Sequence, residues 1–292
     1  MERDFYRSGP ACDHDRERPW PAHSGNLEEA RQYVKHPWVV TAREPQAGAP
    51  TILCFPHAGG TVLSVAQLLR HLPMHLGVRV LNLPGREGSD AHPPLRRATT
   101  AAAAIAAKLA AGDSVPEVFL GNSYGALLAY ETARVLVRSG RAEPRLMVSG
   151  FRSPLLAAAE ASLFAAPRAF LRSELAARFG VGGEELAALE HYEVALRADL
   201  EACETYRHAG DICLKRRIEV LALTDDPAVT ASDLMAWKGV SAGGAMLHEV
   251  RGQHFCWAHQ AGEVATEVQR LLDTTASCEA AKQEKSARPG IR

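Results

Sequence analysis

Gly121-Asn122-Ser123-Tyr124-Gly125 sets a serine hydroxyl in a context suited to attack on an acyl carbonyl. The motif follows an apolar run, Val118-Phe119-Leu120, and opens an Ala/Leu-rich segment, Ala126 to Tyr130, so the pattern reads strand, sharp turn, helix. Such a turn strains the serine and lifts its hydroxyl above a sheet. A Cβ at either glycine would collide with the neighbouring strand or helix. The helix that begins behind Ser123 aims unpaired N–H groups at the place where negative charge develops during acyl transfer. The five-residue pattern also occurs in purely structural turns. Its position between strand and helix is what makes Ser123 a candidate nucleophile.

A serine hydroxyl is a weak nucleophile at neutral pH and needs a base, which in turn needs an orienting acid. In α/β-hydrolases these follow the serine in the order acid, then histidine. Of the 12 histidines, His254 lies in Arg251-Gly252-Gln253-His254-Phe255, a loop after the last expected strand, where that base belongs. His248 falls inside the strand and His259 in the following helix, which suits structural roles. The acid should close the preceding strand, as Thr224-Asp225-Asp226-Pro227 does. Asp226 is favoured because Pro227 ends local pairing and restricts the residue before it to extended backbone. Asp225 is the alternative, otherwise a solvated turn residue or helix cap. Two N–H donors are needed for the oxyanion. Tyr124, next after the serine, is one. Ala58, in the small-residue loop Phe55-Pro56-His57-Ala58-Gly59-Gly60, is the expected second. His57 precedes Ser123 and has no acid beside it, so it is read as a loop-shaping or pocket-lining residue.

These residues need a scaffold that brings strand ends together. Short β-prone runs at 51–55, 78–83, 118–121, 146–149, 218–223 and 246–250 alternate with helical stretches at 62–72, 99–111, 125–139 and 231–237. That alternation predicts an α/β fold: a mostly parallel central sheet with helices on both faces. From Pro154 to His208 the pattern is helical throughout, including Phe170–Phe179 and Glu184–Tyr206, with a glycine-rich hinge at 180–183. A simple crossover needs far fewer residues, so this stretch is expected to be a helical lid over the site rather than two crossover helices. The expected organisation is an N-terminal extension over 1–36, a hydrolase domain over 37–276 with a lid at about 154–208, and a flexible polar tail over 277–292.

Composition narrows the class. With 292 residues, 47% of them hydrophobic, the chain can bury a substantial core. A formal net charge of −1 argues against a nucleic-acid partner. No apolar run is long enough to span a bilayer; Ala101 to Ala111 is too short and carries Lys108. The first residues lack the apolar stretch of a secretory signal. Six scattered cysteines without CxxC spacing suit reduced thiols in a cytoplasm better than disulfides or a zinc site. No metal or organic cofactor is called for by the serine chemistry.

Taken together, Cys54-Phe55-Pro56-His57-Ala58-Gly59-Gly60, Leu83-Pro84-Gly85-Arg86-Glu87, the Ser123 turn, Leu196-Arg197-Ala198-Asp199-Leu200 with Glu204-Thr205-Tyr206, Asp226-Pro227, Trp237 and Gly252-Gln253-His254-Phe255 resemble the type II thioesterases. These are the stand-alone editing enzymes of polyketide and non-ribosomal peptide assembly lines. The likeness runs from about Trp38 to Leu272. It implies an α/β-hydrolase core with a mobile helical lid. It also implies hydrolysis of acyl groups from the phosphopantetheine arm of a carrier protein, with Ser123, Asp226 and His254 as triad and Ala58 and Tyr124 as oxyanion donors. Asn122 and Tyr124 flank the serine where the family usually has His and Met or Leu, so the Tyr124 ring is expected to narrow or reshape the pocket. Leu223-Thr224 replace a usual glycine pair. The same residues would serve a releasing or cyclising acyl transferase, and a catalytically weak carrier-binding protein is the non-enzymatic alternative.

Overall fold

The computed structural model describes residues 38–86, 92–112, 114–157 and 162–287. The expected extension over 1–36 lies outside them. Seven strands form one sheet: β1 (Val39–Arg43), β2 (Thr51–Phe55), β3 (Gly77–Leu81), β4 (Val118–Asn122), β5 (Arg145–Ser149), β6 (Ile218–Leu223) and β7 (Ala245–Val250). Their order is β1-β3-β2-β4-β5-β6-β7, and every pair is parallel except β1 with β3. The two central strands β2 and β4 are buried at every residue, as expected of parallel strands covered on both faces. The short edge strand β1 was not read from the sequence. Its five residues are only partly buried, which weakens the apolar signal a strand search relies on.

The sheet is flanked on one face by α2 (Ala98–Ala111) and α3 (Tyr124–Arg138). On the other lie α1 (Ala66–His71), α8 (Cys256–His259) and the long α9 (Ala261–Ala287). A 3-10 turn, Val62–Val65, leads into α1. The alanines of α2, buried from Ala101 to Ala106, present a low surface against which α3 packs closely. In consequence α3 is buried continuously from Tyr124 to Leu136. Helix α9 continues to Ala287, past the point at Ser277 where the sequence suggested a tail. Between β6 and β7 stands the short α7 (Ala231–Met235), followed by a 3-10 turn at Ala236–Gly239.

The insertion after β5 is less continuously helical than its sequence suggests. Irregular backbone leads to three helices, α4 (Arg168–Phe179), α5 (Gly183–His191) and α6 (Glu193–Glu204). Gly180, with φ 68°, closes α4 in the left-handed conformation that glycine adopts without steric cost. Tyr192, at φ −103° and ψ 31°, separates α5 from α6 where one helix had been expected. Leu163, Leu171, Leu175, Val181, Leu189, Leu196 and Leu200 gather with Phe255 into a third, smaller core above the strand ends. Among the described residues no helix is long and apolar enough to cross a membrane.

Candidate active site

Ser123 stands between β4 and α3 at φ 55°, the only non-glycine among the described residues with a positive φ. Its N–H donates to the Ser149 carbonyl at 2.9 Å and its own carbonyl accepts from the Ala126 N–H at 2.8 Å, so both neighbours hold the strained turn. The need for glycine on either side is steric. A Cβ on Gly125 would sit 1.9 Å from the Phe55 carbonyl oxygen, and one on Gly121 would lie 2.5 Å from the Gly125 carbonyl oxygen. The turn can therefore press against the end of β2 only without side chains there.

His254 Nε2 lies 3.0 Å from Ser123 Oγ, and its Nδ1 lies 2.9 Å from Asp226 Oδ2. The imidazole and the carboxylate are both almost fully buried. The other oxygen of Asp226 accepts the Ala228 N–H at 2.9 Å, so the carboxylate is held at both ends. Asp225 points away: its side chain is exposed, while its N–H donates to the Gly252 carbonyl at 3.0 Å and links the ends of β6 and β7. His248 pairs with Glu219 and Glu267, at 2.7 and 3.3 Å, and takes no part in this chain. His259 ends α8.

Asn122, marked in the sequence only as a departure beside the serine, also supports the histidine. Asn122 is fully buried; its Nδ2 donates to the His254 carbonyl at 3.1 Å, and its Oδ1 accepts from Ser149 Oγ at 2.8 Å. Gly150, at φ 63°, fits against both, since a Cβ there would reach Asn122 Oδ1 at 3.0 Å. The only sequence signal was an amide standing where an apolar strand gives way to the serine turn.

The chain from serine to aspartate opens into a cavity of about 400 Å³. Its roof is supplied by Leu175, Arg178 and Phe179 of α4, Leu189 of α5, and Leu196 and Leu200 of α6. Phe179 and Phe255 pack on the His254 ring with centroids 4.7 and 5.5 Å away. His57 lines the cavity, as expected, with its ring 4.6 Å from that of Phe255. Burial drives its pKa down to about 4, which keeps this imidazole neutral beside His254 near neutral pH. Among the described residues no cluster of three or more His, Cys, Asp and Glu side chains could hold a metal ion.

A family model described as a thioesterase domain matches residues 50–272. The chain belongs to the thioesterase family. It is 30% identical to a probable cadicidin biosynthesis thioesterase of Streptomyces griseus over 244 residues, 80% of this chain and 66% of that protein, just under two thirds of its length. The RedJ thioesterase from the prodiginine pathway of Streptomyces coelicolor is 31% identical with a TM-score of 0.66, covering 77% of this chain and 90% of that one. The type II thioesterase BorB from the borrelidin cluster is 28% identical with a TM-score of 0.71, covering 80% and 96%. The protein is thus an enzyme, a type II thioesterase of the α/β-hydrolase superfamily.

In this thioesterase the loop after β2 is gripped from two sides. Asp199 Oδ2 of α6 accepts the Gly59 N–H at 2.8 Å and also pairs with the Arg86 guanidinium. Arg86 in turn donates through Nε to the Gly60 carbonyl at 3.0 Å and through Nη1 to the Pro84 carbonyl at 3.1 Å. Both charged side chains are 2% exposed or less. Ala58 lines the cavity beside Ser123. Tyr124 is the first residue of α3, where its N–H has no acceptor within the helix. Its ring does not reshape the cavity: it is 1% exposed, absent from the cavity wall and packed in the core under α2 and α3. Burial first, and then the nearby Asp199 carboxylate, push its phenol well above its ordinary pKa. The ring belongs to the same buried apolar cluster as Phe119, Leu127 and Ala101, which keeps its apolar body out of water.

Proposed function

We propose that this thioesterase hydrolyses aberrant or stalled acyl groups from the phosphopantetheine arm of acyl or peptidyl carrier proteins in polyketide or non-ribosomal peptide biosynthesis. The observation that carries the reading is His254 bridging Ser123 and Asp226 at 3.0 and 2.9 Å on the floor of an apolar cavity. In this mechanism His254 Nε2 takes the Ser123 proton as Oγ attacks the thioester carbonyl carbon. Asp226 fixes the imidazole with its proton on Nδ1 and stabilises the imidazolium. The N–H groups of Ala58 and Tyr124 hold the oxyanion. Collapse of the tetrahedral intermediate breaks the C–S bond, and the pantetheine sulfur leaves with the proton from His254. Water, deprotonated by His254, then attacks the acyl-enzyme and releases the carboxylic acid. The leucine-rich roof supports an apolar acyl chain, and the α4–α5 part of the insertion acts as a lid over it.

The reading is tested by incubating the enzyme with carrier proteins loaded with short, medium and long acyl groups, resolving products by mass. Free acids, with a serine-bound acyl intermediate trapped at Ser123, are the expected result. Cyclised products would overturn hydrolysis as the reaction. Failure of a fluorophosphonate to label Ser123 would overturn the serine mechanism itself.

A further inference from the structure

We propose that the buried pair Asp199–Arg86 serves as a positioning device for the oxyanion site, so that helix α6 sets the geometry of the Ala58 donor. The inference rests on the assignment of Ala58 under the mechanism above. The Ala58 methyl packs against two of the apolar clusters, and among the described residues its carbonyl accepts from the His57 ring alone, 2.9 Å from Nδ1. The peptide units that follow it are fixed from outside the loop. Asp199 takes the Gly59 N–H, and Arg86 donates to the Gly60 carbonyl. Gly60 N–H also closes a turn onto the His57 carbonyl at 2.9 Å.

Steric fit ties the same loop to the same helix. A Cβ on Gly59 would meet Leu196 Cβ of α6 and Leu189 Cδ2 of α5, each at 3.1 Å, and Gly59 itself stands at φ 70°. The loop is therefore pressed against the roof, and the direction of the Ala58 N–H follows from where α6 sits. Burying two charges is expensive, and an apolar pair of similar volume would commonly be no less stable. A charge pair that also holds the Gly59 N–H and the Gly60 carbonyl of an oxyanion loop has a function that an apolar pair lacks. Stabilisation of an oxyanion depends on donors aimed at where the charge will develop, and a misplacement of about 1 Å costs about a hundredfold in rate.

The test uses the whole enzyme and two ligands of similar size. An acyl trifluoromethyl ketone forms a tetrahedral adduct with the serine and loads the oxyanion site, whereas the matching acyl methyl ketone reports on the cavity in its trigonal form. Two variants are compared with wild type: Asp199→Asn, which keeps an oxygen acceptor for Gly59 N–H, and the double variant Asp199→Leu with Arg86→Met, which removes both charges so that neither is left unpaired. For the double variant kcat on an acyl-pantetheine thioester should fall by about tenfold to a hundredfold. The trifluoromethyl ketone should weaken by the same factor, while KM and methyl ketone affinity stay within about threefold. Asp199→Asn should recover part of the loss in both kcat and adduct affinity. Wild-type kcat and adduct affinity in a cooperatively melting double variant would overturn the proposal and leave the pair as a fold staple. Equal weakening of both ketones, or unfolding of both variants, would do the same. Failure of the parent mechanism would look different: the wild-type enzyme would then form no adduct with the trifluoromethyl ketone.

Discussion

The strand ends and the helical roof meet over Ser123, but they are held together by different forces. Below, Ser123, Asp226 and His254 hang from β4, β6 and the loop after β7, whose backbones are cross-linked by hydrogen bonds such as Ser123 N–H to Ser149 and Asp225 N–H to Gly252. Above, the three helices are held unequally. Helix α6 buries Ala195, Leu196, Ala198, Asp199, Leu200 and Ala202 and anchors the loop after β2. Helix α4 buries only Leu171 and Leu175, and its ties to its neighbours include the surface ion pairs Arg172–Glu190 and Arg168–Glu193. Exposed pairs of that kind contribute about 0–1 kcal/mol each. A Cβ at Gly180 or Gly182 would meet nothing within 4 Å, so the α4–α5 link is open on both sides of the buried Val181. The site thus has a rigid floor, one fixed roof beam and one lightly held one. Under the proposed lid, closure over substrate would demand movement and would fall to the lightly held part.

If the floor carries the chemistry, its substitutions should dominate every rate measurement. Ser123→Ala is expected to lower hydrolysis of acyl-pantetheine thioesters by several orders of magnitude, as losses within such triads do, with the far-UV spectrum and melting transition kept. Activity within about tenfold of wild type would break the distinction between floor and roof at its root. Asp226→Asn comes next, with an expected loss of about 10⁴ in kcat because the histidine then adopts the wrong tautomer. Asp225→Asn should stay within a few-fold of wild type, since only its main chain is engaged near the site. Parallel kcat measurements on the two neighbouring variants check this, and a reversed order would move the acid by one residue.

The floor was more legible in the sequence than the roof, for a physical reason. A glycine whose Cβ would lie 1.9 Å from a carbonyl oxygen, or a proline that fixes the backbone before it, is a local constraint and leaves a mark on single residues. Ser123 and Asp226 are readable in that way and His254 from its place in the loop after the last strand, and the structure brings the three together. The roof is fixed by contacts between distant residues. That α6 is bolted to Arg86 while α4 is not depends on a separation of 113 residues, which no local pattern encodes. The burial of the Tyr124 ring is likewise a matter of a cluster drawn from many parts of the chain, and the break at Tyr192 has no local sequence mark such as a glycine or proline. Strand β1 was missed because an edge strand of five half-exposed residues shows no clear apolar pattern.

Asn122 sharpens the account of the floor. Asn122→Ala leaves the His254 carbonyl and Ser149 Oγ each without one partner in a fully buried setting. The expected cost is about 1–3 kcal/mol of folding stability, read from chemical denaturation. A moderate drop in kcat should accompany it as the histidine loop loosens, far smaller than that of Asp226→Asn. A loss of activity as deep as that of Asp226→Asn, with stability unchanged, would place Asn122 among the reacting groups rather than under them.

The smallest expected effect on stability is the one that separates the two halves of the roof. Leu175 of α4 and Leu196 of α6 both line the cavity and both are nearly buried, at 4% and 2% exposure. Burial alone would assign them the same role. Their surroundings differ: Leu196 lies so close to Gly59 that a Cβ there would meet its Cβ at 3.1 Å on the anchored helix, whereas Leu175 sits on the helix held by surface pairs. Truncating Leu196 to Ala should therefore carry a core-type penalty of about 2–5 kcal/mol. A polar residue at position 175 can be accommodated by a small outward shift of α4, so Leu175→Gln should cost less than about 1 kcal/mol. The acyl chain would meet the change directly, because Leu175 faces the space above Ser123. Hydrolysis of short and long acyl substrates, measured alongside thermal unfolding, should then show a shift in chain-length preference and KM for Leu175→Gln with little change in Tm. If Leu175→Gln instead costs about 2 kcal/mol or more and leaves preference untouched, α4 is as much a fixed part of the core as α6. The motion that admits substrate would then have to be sought elsewhere in the molecule.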